Sequence, residues 1–197
     1  PVDHQPVPPP VFERLKLAYR VITHSKFGYE ELKKKGMHST YIPLCVDTEV
    51  FIHRDKKEGR KMLNIPEDMF LFGMVAANKD NPPRKSFQEV MDAFVSFHAL
   101  HPNSGIYFHT VLNQQGGFPI DQYARFLGIE SCIYSGDPFQ QMFHTGKEQM
   151  SIIYSAIDCL LSPSTNEGFG VPIIEAQSCE TPVITNNFTA MAELVIH

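Results

Sequence analysis

The stretch NEGFGVPIIEAQ combines a candidate anion site with two carboxylates. Gly168 and Gly170 allow the backbone to turn sharply, and Pro172 suits the first position of a helix, where its missing N–H would be unpaired anyway. Free N–H groups at such a helix start bind anions because the helix dipole is positive there. Glu167 and Glu175 nevertheless bracket this loop. A tight strand-to-helix turn without a ligand is the alternative.

A second loop, NKDNPPRKS at 78–86, carries Arg84 and Lys85 just ahead of a helical pattern. Ser86 and Glu89 have the S-x-x-E spacing of a capping box, which predicts that the helix starts at Ser86. Cations are disfavoured at the positive end of a helix dipole. A bound phosphate would remove that conflict, and solvent exposure would only reduce it. The loop is therefore a second candidate phosphate site, with an exposed basic pair as the alternative.

Apolar runs alternate with amphipathic segments from Phe70 onward, and this alternation predicts an α/β protein. Strands are predicted at 70–77, 105–112, 131–135, 158–162 and 182–185, and helices at 86–100, 120–128, 147–156 and 172–179, with a last helix beginning at 188. Each predicted strand is a continuous apolar run, which is typical of a parallel sheet covered on both faces. The sequence therefore predicts a Rossmann-like, doubly wound parallel sheet.

The expected strand order places the two candidate loops side by side. In the common order 3-2-1-4-5 the first and fourth strands are neighbours, and ligands bind outside the carboxyl ends of the strands at this switch point. The loop with Arg84 and Lys85 follows the first strand, and the loop with Gly168 and Gly170 follows the fourth. This coincidence favours a ligand that carries phosphate.

The two glutamates fit a ligand that also carries hydroxyl groups. Carboxylates repel phosphate but accept hydrogen bonds from hydroxyls. If Val171 is the N-cap, Glu175 is the fourth residue of its helix and is not a capping-box partner, although it could simply favour the helix dipole. A diphosphate with a sugar at each end would engage the cations, the helix start and both acids. A nucleotide-sugar is such a molecule.

Composition and charge narrow the class of partner. The chain of 197 residues has a formal net charge of -5, which argues against nucleic acid or an anionic membrane as the main partner. Its four cysteines form no C-x-x-C pair, and Cys159 and Cys179 lie in apolar runs, so a reduced cytosolic compartment is expected. No run is long enough for a membrane span, no signal peptide is visible, and no metal site is expected.

The first third of the chain follows a different pattern. Residues 2–12 are rich in proline and are expected to be extended, and residues 20–25 and 26–36 are expected to form a strand and a helix. The run HRDKKEGRK at 53–61 is interpreted as a solvated helix face. A domain boundary is predicted between about Val46 and Pro66.

Four segments together resemble the retaining glycosyltransferases of the GT-B fold, group 1, family GT4. E-G-F-G-V-P-I-I-E is similar to the E-x7-E motif of that family, and SPSTNEGFGVPIIEAQSCETPVITNN to its donor-site strand, loop, helix and strand. IPLCVDTEVF resembles the interdomain linker, VAANKDNPPRKS the phosphate loop, and SKFGYEELKKKG the last helix before the linker.

The resemblance implies a domain organisation and a reaction. Residues 1–46 would be the end of an acceptor-binding N-terminal domain with the linker, and 47–197 a nucleotide-sugar-binding domain that stops before its C-terminal end. The chain is thus expected to be a fragment that is inactive alone. The implied activity is transfer of a sugar from a nucleotide-diphosphate sugar to an unidentified acceptor with retention of configuration and without a metal or other cofactor. The expected location is the cytoplasm. The full-length protein is also expected to contact the cytoplasmic face of the membrane peripherally.

The resemblance also implies roles for single residues. Glu175 would hold the ribose hydroxyls and Glu167 the hydroxyls of the transferred sugar. The implied site residues are Arg84, Lys85 and Glu167 in catalysis, and Asn78, Gly136, Asp137, Pro138, Phe139, Gly168, Phe169, Gly170, Val171 and Glu175 in nucleotide-sugar binding. The family usually has Gly-Arg where this chain has Ala77 and Asn78, so Arg84 is expected to replace the missing cation.

Three other functions remain open at this stage. A hydrolase could use Glu167 and Glu175 as an acid and base pair, but it would leave the two cations unexplained. A nucleotide-sugar epimerase of the same fold would keep the donor site. A binding module without turnover would also keep it, and Asn78 in place of arginine is the feature that favours this reading.

Overall fold

The alternation of apolar and amphipathic segments appears in the structure as alternating strands and helices. The computed structural model describes residues 2–79, 83–143 and 145–195, so residues 80–82 of the predicted phosphate loop and the outermost residues of both predicted domains lie outside it. In chain order the elements are α1 Pro9–Leu15, β1 Ile22–Thr23, α2 Lys26–Lys34, β2 Thr40–Tyr41, α3 Lys56–Met62, β3 Phe70–Val75, α4 Phe87–Leu100, β4 Ser104–His109, α5 Ile120–Leu127, β5 Ile133–Ser135, α6 Pro138–Phe143, α7 Lys147–Ala156, β6 Cys159–Ser162, α8 Val171–Ser178 and β7 Val183–Thr185, with the 3-10 helices η1 Glu130–Cys132 and η2 Thr189–Glu193.

The main sheet has the predicted strand order. Within the described residues its order is β5-β4-β3-β6-β7, which is 3-2-1-4-5 when these strands are counted from Phe70, and all neighbours are parallel. β3 pairs with β4 along its whole length and with β6 at Phe72 and Gly73. The chain reverses its direction of winding between β3 and β6, so the loops that follow these two strands leave the sheet side by side.

Helices cover both faces of this sheet, and each face has its own apolar core. One core joins the sheet to α7 and α8 through residues such as Leu71, Tyr154, Leu160 and Ala176. The other core joins it to α4 and α5 through Met74, Phe87, Phe94, Phe108 and Ala124. Cys159 and Cys179 are both buried, in agreement with their places in apolar runs of the sequence. This two-sided burial explains why the strands are continuous apolar runs, and the α/β prediction is confirmed.

A buried ion network holds α3 against the sheet. The predicted solvated face at 53–61 is present, since His53, Asp55, Lys57, Glu58 and Lys61 are exposed, but Arg60 is buried on the opposite side. Arg60 is only 2% exposed, and its guanidinium donates to Asp158 Oδ2 at 2.6 Å and to backbone oxygens of Ala156 and Met69. Asp158 also accepts from Lys56 at 2.6 Å and from the Leu71 N–H at 2.7 Å. Sequence spacing could not show this pairing because the partners lie about one hundred residues apart.

The first third of the chain differs from prediction in two elements. Residues 9–15 form a helix, although 2–12 were expected to be extended, because prolines at the first two helical positions have a suitable φ and need no N–H partner. The predicted helix at 26–36 is present as α2, with Ser25 accepting from the Gly28 N–H at 3.1 Å and Gly36 in the left-handed region after its end. The predicted strand at 20–25 is reduced to Ile22–Thr23.

The end of the described chain returns to α2. The predicted last helix from Phe188 is the 3-10 helix η2, and its Glu193 carboxylate accepts from the backbone N–H groups of Lys26 at 2.9 Å and Phe27 at 3.0 Å. The rings of Phe27 and Phe188 lie 6.4 Å apart. A carboxylate on the free N–H groups of a helix start is favourable. Glu193 therefore ties the first segment to the sheet domain.

The ion network predicts a large cost for removing the Asp158 charge. Burial by itself raises the pKa of Asp158, but the Leu71 N–H, Lys56 and Arg60 outweigh it, so the pKa is lowered. The carboxylate therefore stabilises the fold above its unfolded pKa, near 4, and this stabilisation is lost as the pH falls through the lower folded pKa. Asp158→Asn should reduce the free energy of unfolding by about 3 kcal/mol at pH 7, because Arg60 stays buried without its partner.

Asp121→Asn is the matched control, since it breaks an exposed pair with Arg125 and should cost less than about 1 kcal/mol. Urea unfolding at pH 7 and at lower pH measures both variants. The interpretation is wrong if the two variants lose the same stability, or if Asp158→Asn remains as pH-dependent as the wild type in the acid range.

Candidate functional site

The loops after β3 and β6 are hydrogen-bonded to each other. The Thr165 N–H donates to the Arg84 carbonyl at 2.8 Å, and the Thr165 hydroxyl donates to the same oxygen at 3.3 Å. In return, Arg84 Nη1 donates to the Asn166 carbonyl at 3.1 Å. The prediction that these two loops meet is therefore confirmed by their contacts.

The carboxylate of Glu167 lies against both cations of the first loop. Lys85 Nζ forms an ion pair with Glu167 Oε1, and Arg84 Nη1 lies 3.3 Å from Oε2. The Lys85 and Glu167 side chains are each only 14% exposed. Burial by itself would raise the pKa of Glu167, but the ion pair with Lys85, a hydrogen bond from Ser164 and the charge of Arg84 outweigh it, so the pKa is lowered. Glu167 is thus ionised at neutral pH. The sequence analysis had assigned the cations to phosphate and Glu167 to sugar without foreseeing that they pair.

The start of α4 corrects the predicted capping box. The helix begins at Phe87 after Ser86, as expected, but Ser86 has φ 60° and ψ 39° and its hydroxyl caps no helical N–H. Glu89 is exposed. The left-handed backbone of Ser86 differs from the extended conformation that an N-cap residue normally has. The S-x-x-E spacing therefore located the helix start but gave the wrong reason for it.

The start of α8 also differs by one residue. The helix begins at Val171 with Gly170 as N-cap, so Pro172 is its second residue and Glu175 its fifth, not its fourth. Gly170 has φ +107°, a conformation that L side chains rarely adopt, and a Cβ there would lie 3.1 Å from Ile173 Cδ1. Phe169 is buried at 7% exposure. The glycine therefore meets a conformational need of the loop, as predicted.

A residue of α7 fixes the side chain of Glu175 by a hydrogen bond. The buried Tyr154 hydroxyl donates to Glu175 Oε2 at 2.7 Å. Burial raises the pKa of Glu175, and the Tyr154 hydrogen bond and Lys147 oppose this only in part. Burial and then the Glu175 charge raise the pKa of Tyr154 well above its ordinary value. Tyr154 is a positioning partner that the sequence analysis missed, because nothing in the spacing links the two residues.

A cleft of about 540 Å³ opens beside the two loops at the carboxyl ends of β3 and β4. It is lined by Val75, Ala76, Ala77, Asn78, Lys79, Arg84, Lys85, His109, Thr110, Val111, Gln114, Gln141 and Pro172. Among the predicted site residues, Asn78, Arg84 and Lys85 line this cleft. Glu167 does not line it, but it is ion-paired with Arg84 and Lys85. Gly168, Phe169, Gly170, Val171 and Glu175 do not line it, although α8 reaches it with Pro172.

Asn78 uses its side chain inside the protein. It is 3% exposed, and its Nδ2 donates to the carbonyls of Val111 at 3.2 Å and Phe118 at 2.7 Å. Its Oδ1 accepts from the Phe118 N–H at 2.7 Å. A Cβ on Gly117 would lie 2.3 Å from the Asn78 carbonyl oxygen, so the loops touch. The Asn78 side chain therefore has a structural role, which spacing alone could not reveal. Its role in ligand binding stays a prediction.

The predicted loop at 136–139 lies by a second, smaller cavity of about 260 Å³. Gly136 and Asp137 line this cavity, Pro138 begins α6, and Phe139 is 61% exposed. The prediction of a loop is thus correct only up to Asp137. A short helix follows because Pro138 suits a helix start.

His109 separates the two cavities and was missed by the sequence analysis. It ends β4, lines both cavities together with Gln141, and its Nδ1 lies 3.3 Å from the Tyr107 hydroxyl. Burial lowers the pKa of His109 to about 4, so the imidazole is neutral at pH 7. The available signal was its position, since a polar residue at the carboxyl end of the second strand must face the switch point.

Two kinds of feature are absent from the part of the chain that the structure describes. None of its helices is long and apolar enough to cross a membrane. No group of three His, Cys, Asp or Glu side chains in the described ranges is arranged to hold a metal ion.

Comparisons with known proteins agree with this architecture. Residues 138–197 match the family described as "Glycosyl transferases group 1". Over 146 residues the chain is 27% identical to D-inositol 3-phosphate glycosyltransferase of Stackebrandtia nassauensis, which covers 74% of this chain and 32% of that protein. The chain thus spans about a third of the length of this relative.

Solved structures show the same fold. Sucrose-phosphate synthase of Thermosynechococcus elongatus superposes with a TM-score of 0.77 at 21% identity over 94% of this chain and 45% of that one. Alr3699/HepE of Anabaena, in complex with UDP and glucose, gives a TM-score of 0.75 at 20% identity over 94% of this chain and 51% of that one. At these identities the neighbours show the fold, an α/β architecture shared with GT-B glycosyltransferases, and the family match covers residues 138–197.

The geometry of Asn78 predicts a loss of stability when its side chain is removed. Asn78→Ala removes the partner of the Phe118 N–H and of the Val111 carbonyl, whereas the Phe118 carbonyl keeps the Ile120 N–H at 3.0 Å. Each unsatisfied buried group costs about 1–3 kcal/mol, so the loss should be about 2 kcal/mol or more. Asn103→Ala is the control, because it removes a single exposed bond to Asp68. Thermal and urea unfolding measure both. If Asn78→Ala leaves stability unchanged but weakens ligand binding, the structural role is wrong.

Proposed function

We propose that this chain carries the donor site of a retaining glycosyltransferase of family GT4, which transfers a sugar from a nucleotide-diphosphate sugar to an acceptor. The observation that carries the proposal is the meeting of Arg84, Lys85 and Glu167 where the loops after β3 and β6 join, beside a cleft at the switch point of the sheet. Ligands of doubly wound sheets bind at this place. The structures of Alr3699/HepE with UDP and glucose, and with UDP-glucose, support a nucleotide-sugar as the ligand class.

The residues around the cleft provide groups that match each part of such a donor. Arg84 and Lys85 are the cations for the diphosphate, and the start of α8 with Gly168–Val171 offers backbone N–H groups. Glu167 accepts from the hydroxyls of the transferred sugar. Glu175, held by Tyr154, accepts from the ribose hydroxyls. Gly136 and Asp137, at the smaller cavity, are close to the nucleobase in this proposal.

The chemistry asked of these residues is stabilisation of a leaving group. When the anomeric bond breaks, the nucleoside diphosphate gains negative charge. Fixed cations and helix N–H groups that face this charge lower the barrier because they need no reorganisation at the moment of reaction. Lys85 is well placed for this task because it is largely buried and held by its ion pair. Within the proposal the reaction needs no metal and takes place in the cytoplasm.

Thermal-shift screening of the 197-residue chain against UDP, GDP, ADP and their sugar conjugates tests the proposal. One nucleotide series should raise the melting temperature, since a ligand that binds only the folded state stabilises it. If no nucleoside diphosphate or nucleotide-sugar raises the melting temperature, the donor site is wrongly assigned. Product analysis with the full-length protein separates sugar transfer from epimerisation, which would return an isomer of the donor.

Lys85→Ala should weaken binding of a nucleoside diphosphate about ten- to a hundredfold, because a charge-assisted hydrogen bond contributes roughly 1.5–3 kcal/mol. The bare nucleoside should bind as before, since it carries no phosphate. The sequence suggested that the ligand-free protein would be no less stable without this cation. The structure predicts the opposite, because Glu167 would lose its closest partner.

Lys57→Ala is the control for this variant, because Lys57 is an exposed cation on α3 and pairs only loosely with Glu67 at 3.4 Å. Calorimetric titration with the nucleoside and the nucleoside diphosphate, together with a ligand-free melt, measures all the expected effects. An unchanged diphosphate affinity in Lys85→Ala would refute the assignment of this loop to phosphate.

The isolated chain should bind nucleotide without transferring sugar. In the proposed organisation, residues 1–46 belong to the acceptor-binding domain and 47–197 to the donor domain, and transfer requires both walls of the cleft. The chain spans only 32% of the length of the inositol-phosphate glycosyltransferase relative. An assay with labelled donor and a mixture of glycan, lipid and small-molecule acceptors tests this, and turnover by the chain alone would contradict it.

A further inference from the structure

The Glu167 carboxylate lies where the anion of a ligand would meet the two cations. Its two carboxylate oxygens lie against Lys85 and Arg84, which are the cations that a phosphate would use. The hydroxyl of the buried Ser164 is a third partner. The site therefore already contains one negative charge at the point where a diphosphate would bring more.

The backbone around Glu167 prevents this carboxylate from simply moving away. The Glu167 N–H donates to Thr189 Oγ1 at 3.3 Å, and the preceding Thr165 is bonded to the Arg84 carbonyl at 2.8 Å. Thr189 itself is buried and has φ 53°, so η2 holds this threonine in an unusual backbone conformation. With both sides of the loop fixed, the carboxylate can change its partner by side-chain rotation but cannot leave the neighbourhood of the cations.

The fixed carboxylate has opposite effects on two ligands that differ only by the sugar. A free nucleoside diphosphate must share Lys85 and Arg84 with Glu167 and meets like-charge repulsion, because it offers the carboxylate no hydroxyl near the phosphates. A nucleotide-sugar meets the same cations, but its sugar hydroxyls donate to Glu167 and give the carboxylate a new partner. The negative charge of Glu167 therefore weakens binding of the free nucleoside diphosphate and strengthens binding of the nucleotide-sugar.

We propose that Glu167 determines the selectivity of the site for sugar-loaded donor over free nucleoside diphosphate, and so favours product release. This inference rests on the proposed function, since it takes the ligand of Arg84 and Lys85 to be a diphosphate. The inference adds a second effect of the same carboxylate. Glu167 weakens binding of the nucleoside diphosphate product, because both compete for the cations Arg84 and Lys85.

The test compares two ligands on charge-neutralised and charge-retaining variants. For the nucleotide series that binds the wild type, calorimetry measures Kd for the nucleoside diphosphate and for its sugar conjugate, namely UDP and UDP-glucose, GDP and GDP-mannose, or ADP and ADP-glucose. Glu167→Gln should tighten the diphosphate about fivefold, since it removes a like charge near the cations. It should weaken the sugar conjugate about tenfold through loss of the charged acceptor.

Two further variants separate this effect from a general disturbance of the loop. Glu167→Asp keeps the charge but shortens the side chain, so the diphosphate should stay as weak as in the wild type while the sugar conjugate weakens. Glu175→Gln lies on the same motif but has no contact with the cations, and it should weaken both ligands together. Ligand-free melting curves confirm that each variant is folded at the titration temperature.

The outcomes distinguish this inference from the proposed function. If the diphosphate binds Glu167→Gln no better than the wild type, while both ligands still bind, the selectivity role is wrong and the donor site stands. If neither ligand binds the wild type, the donor site and the selectivity role fail together. A tighter diphosphate with a weaker sugar conjugate, seen in Glu167→Gln alone, supports the inference.

Discussion

The pairing of β3 with β6 is the constraint on which the candidate site depends. β3 is bonded to β4 on one edge and to β6 on the other, so it is the strand at which the order of the sheet reverses. Parallel strands have all their carboxyl ends at one edge, and the loops after β3 and β6 must therefore emerge next to each other. Glu167 lies more than eighty positions after Arg84 and Lys85 in the sequence. The pairing of β3 with β6 brings the carboxylate and the two cations within contact distance.

The same two strands carry ion clusters at both ends, with different consequences. Before β6, Asp158 binds Arg60 and Lys56 and also accepts from the Leu71 N–H of β3, so it fixes the relative position of the strands and of α3. After β6, Glu167 binds two cations beside an open cleft. In the first cluster the Asp158 carboxylate is paired with Arg60, Lys56 and the Leu71 N–H, which suits a structural role. In the second cluster, Arg84 and Lys85 line the cleft, where a ligand can reach them, which suits binding.

The sequence predicted those features that follow from local pattern and general topology. Apolar runs and helical periodicity located the strands and the helices α4, α5, α7 and α8, and the rule for doubly wound sheets gave the strand order. The features that the sequence did not reveal concern residues whose contacts are decided by distant partners or by the backbone of a single residue. Arg60 is buried because its guanidinium pairs with Asp158. The Asn78 side chain donates hydrogen bonds to the carbonyls of Val111 and Phe118. Ser86 has a left-handed backbone, and its side chain does not cap α4. His109 carries no local motif, and only its place at the end of β4 gives it access to both cavities.

The two glutamates that bracket the glycine loop differ because their surroundings differ. Glu167 meets two cations and has a lowered pKa, whereas Glu175 meets a buried tyrosine hydroxyl and has a raised pKa, with burial opposing the charge in both cases. The Glu167 carboxylate is thus held by ion pairs, and the Glu175 carboxylate by a hydrogen bond from a neutral hydroxyl. In the proposed diphosphate site, an unpaired carboxylate beside the phosphates would weaken ligand binding. The acid nearest the cations therefore has to be paired with them. The ion pairs of Glu167 meet this requirement, and they explain how an anion site can be bracketed by two acids.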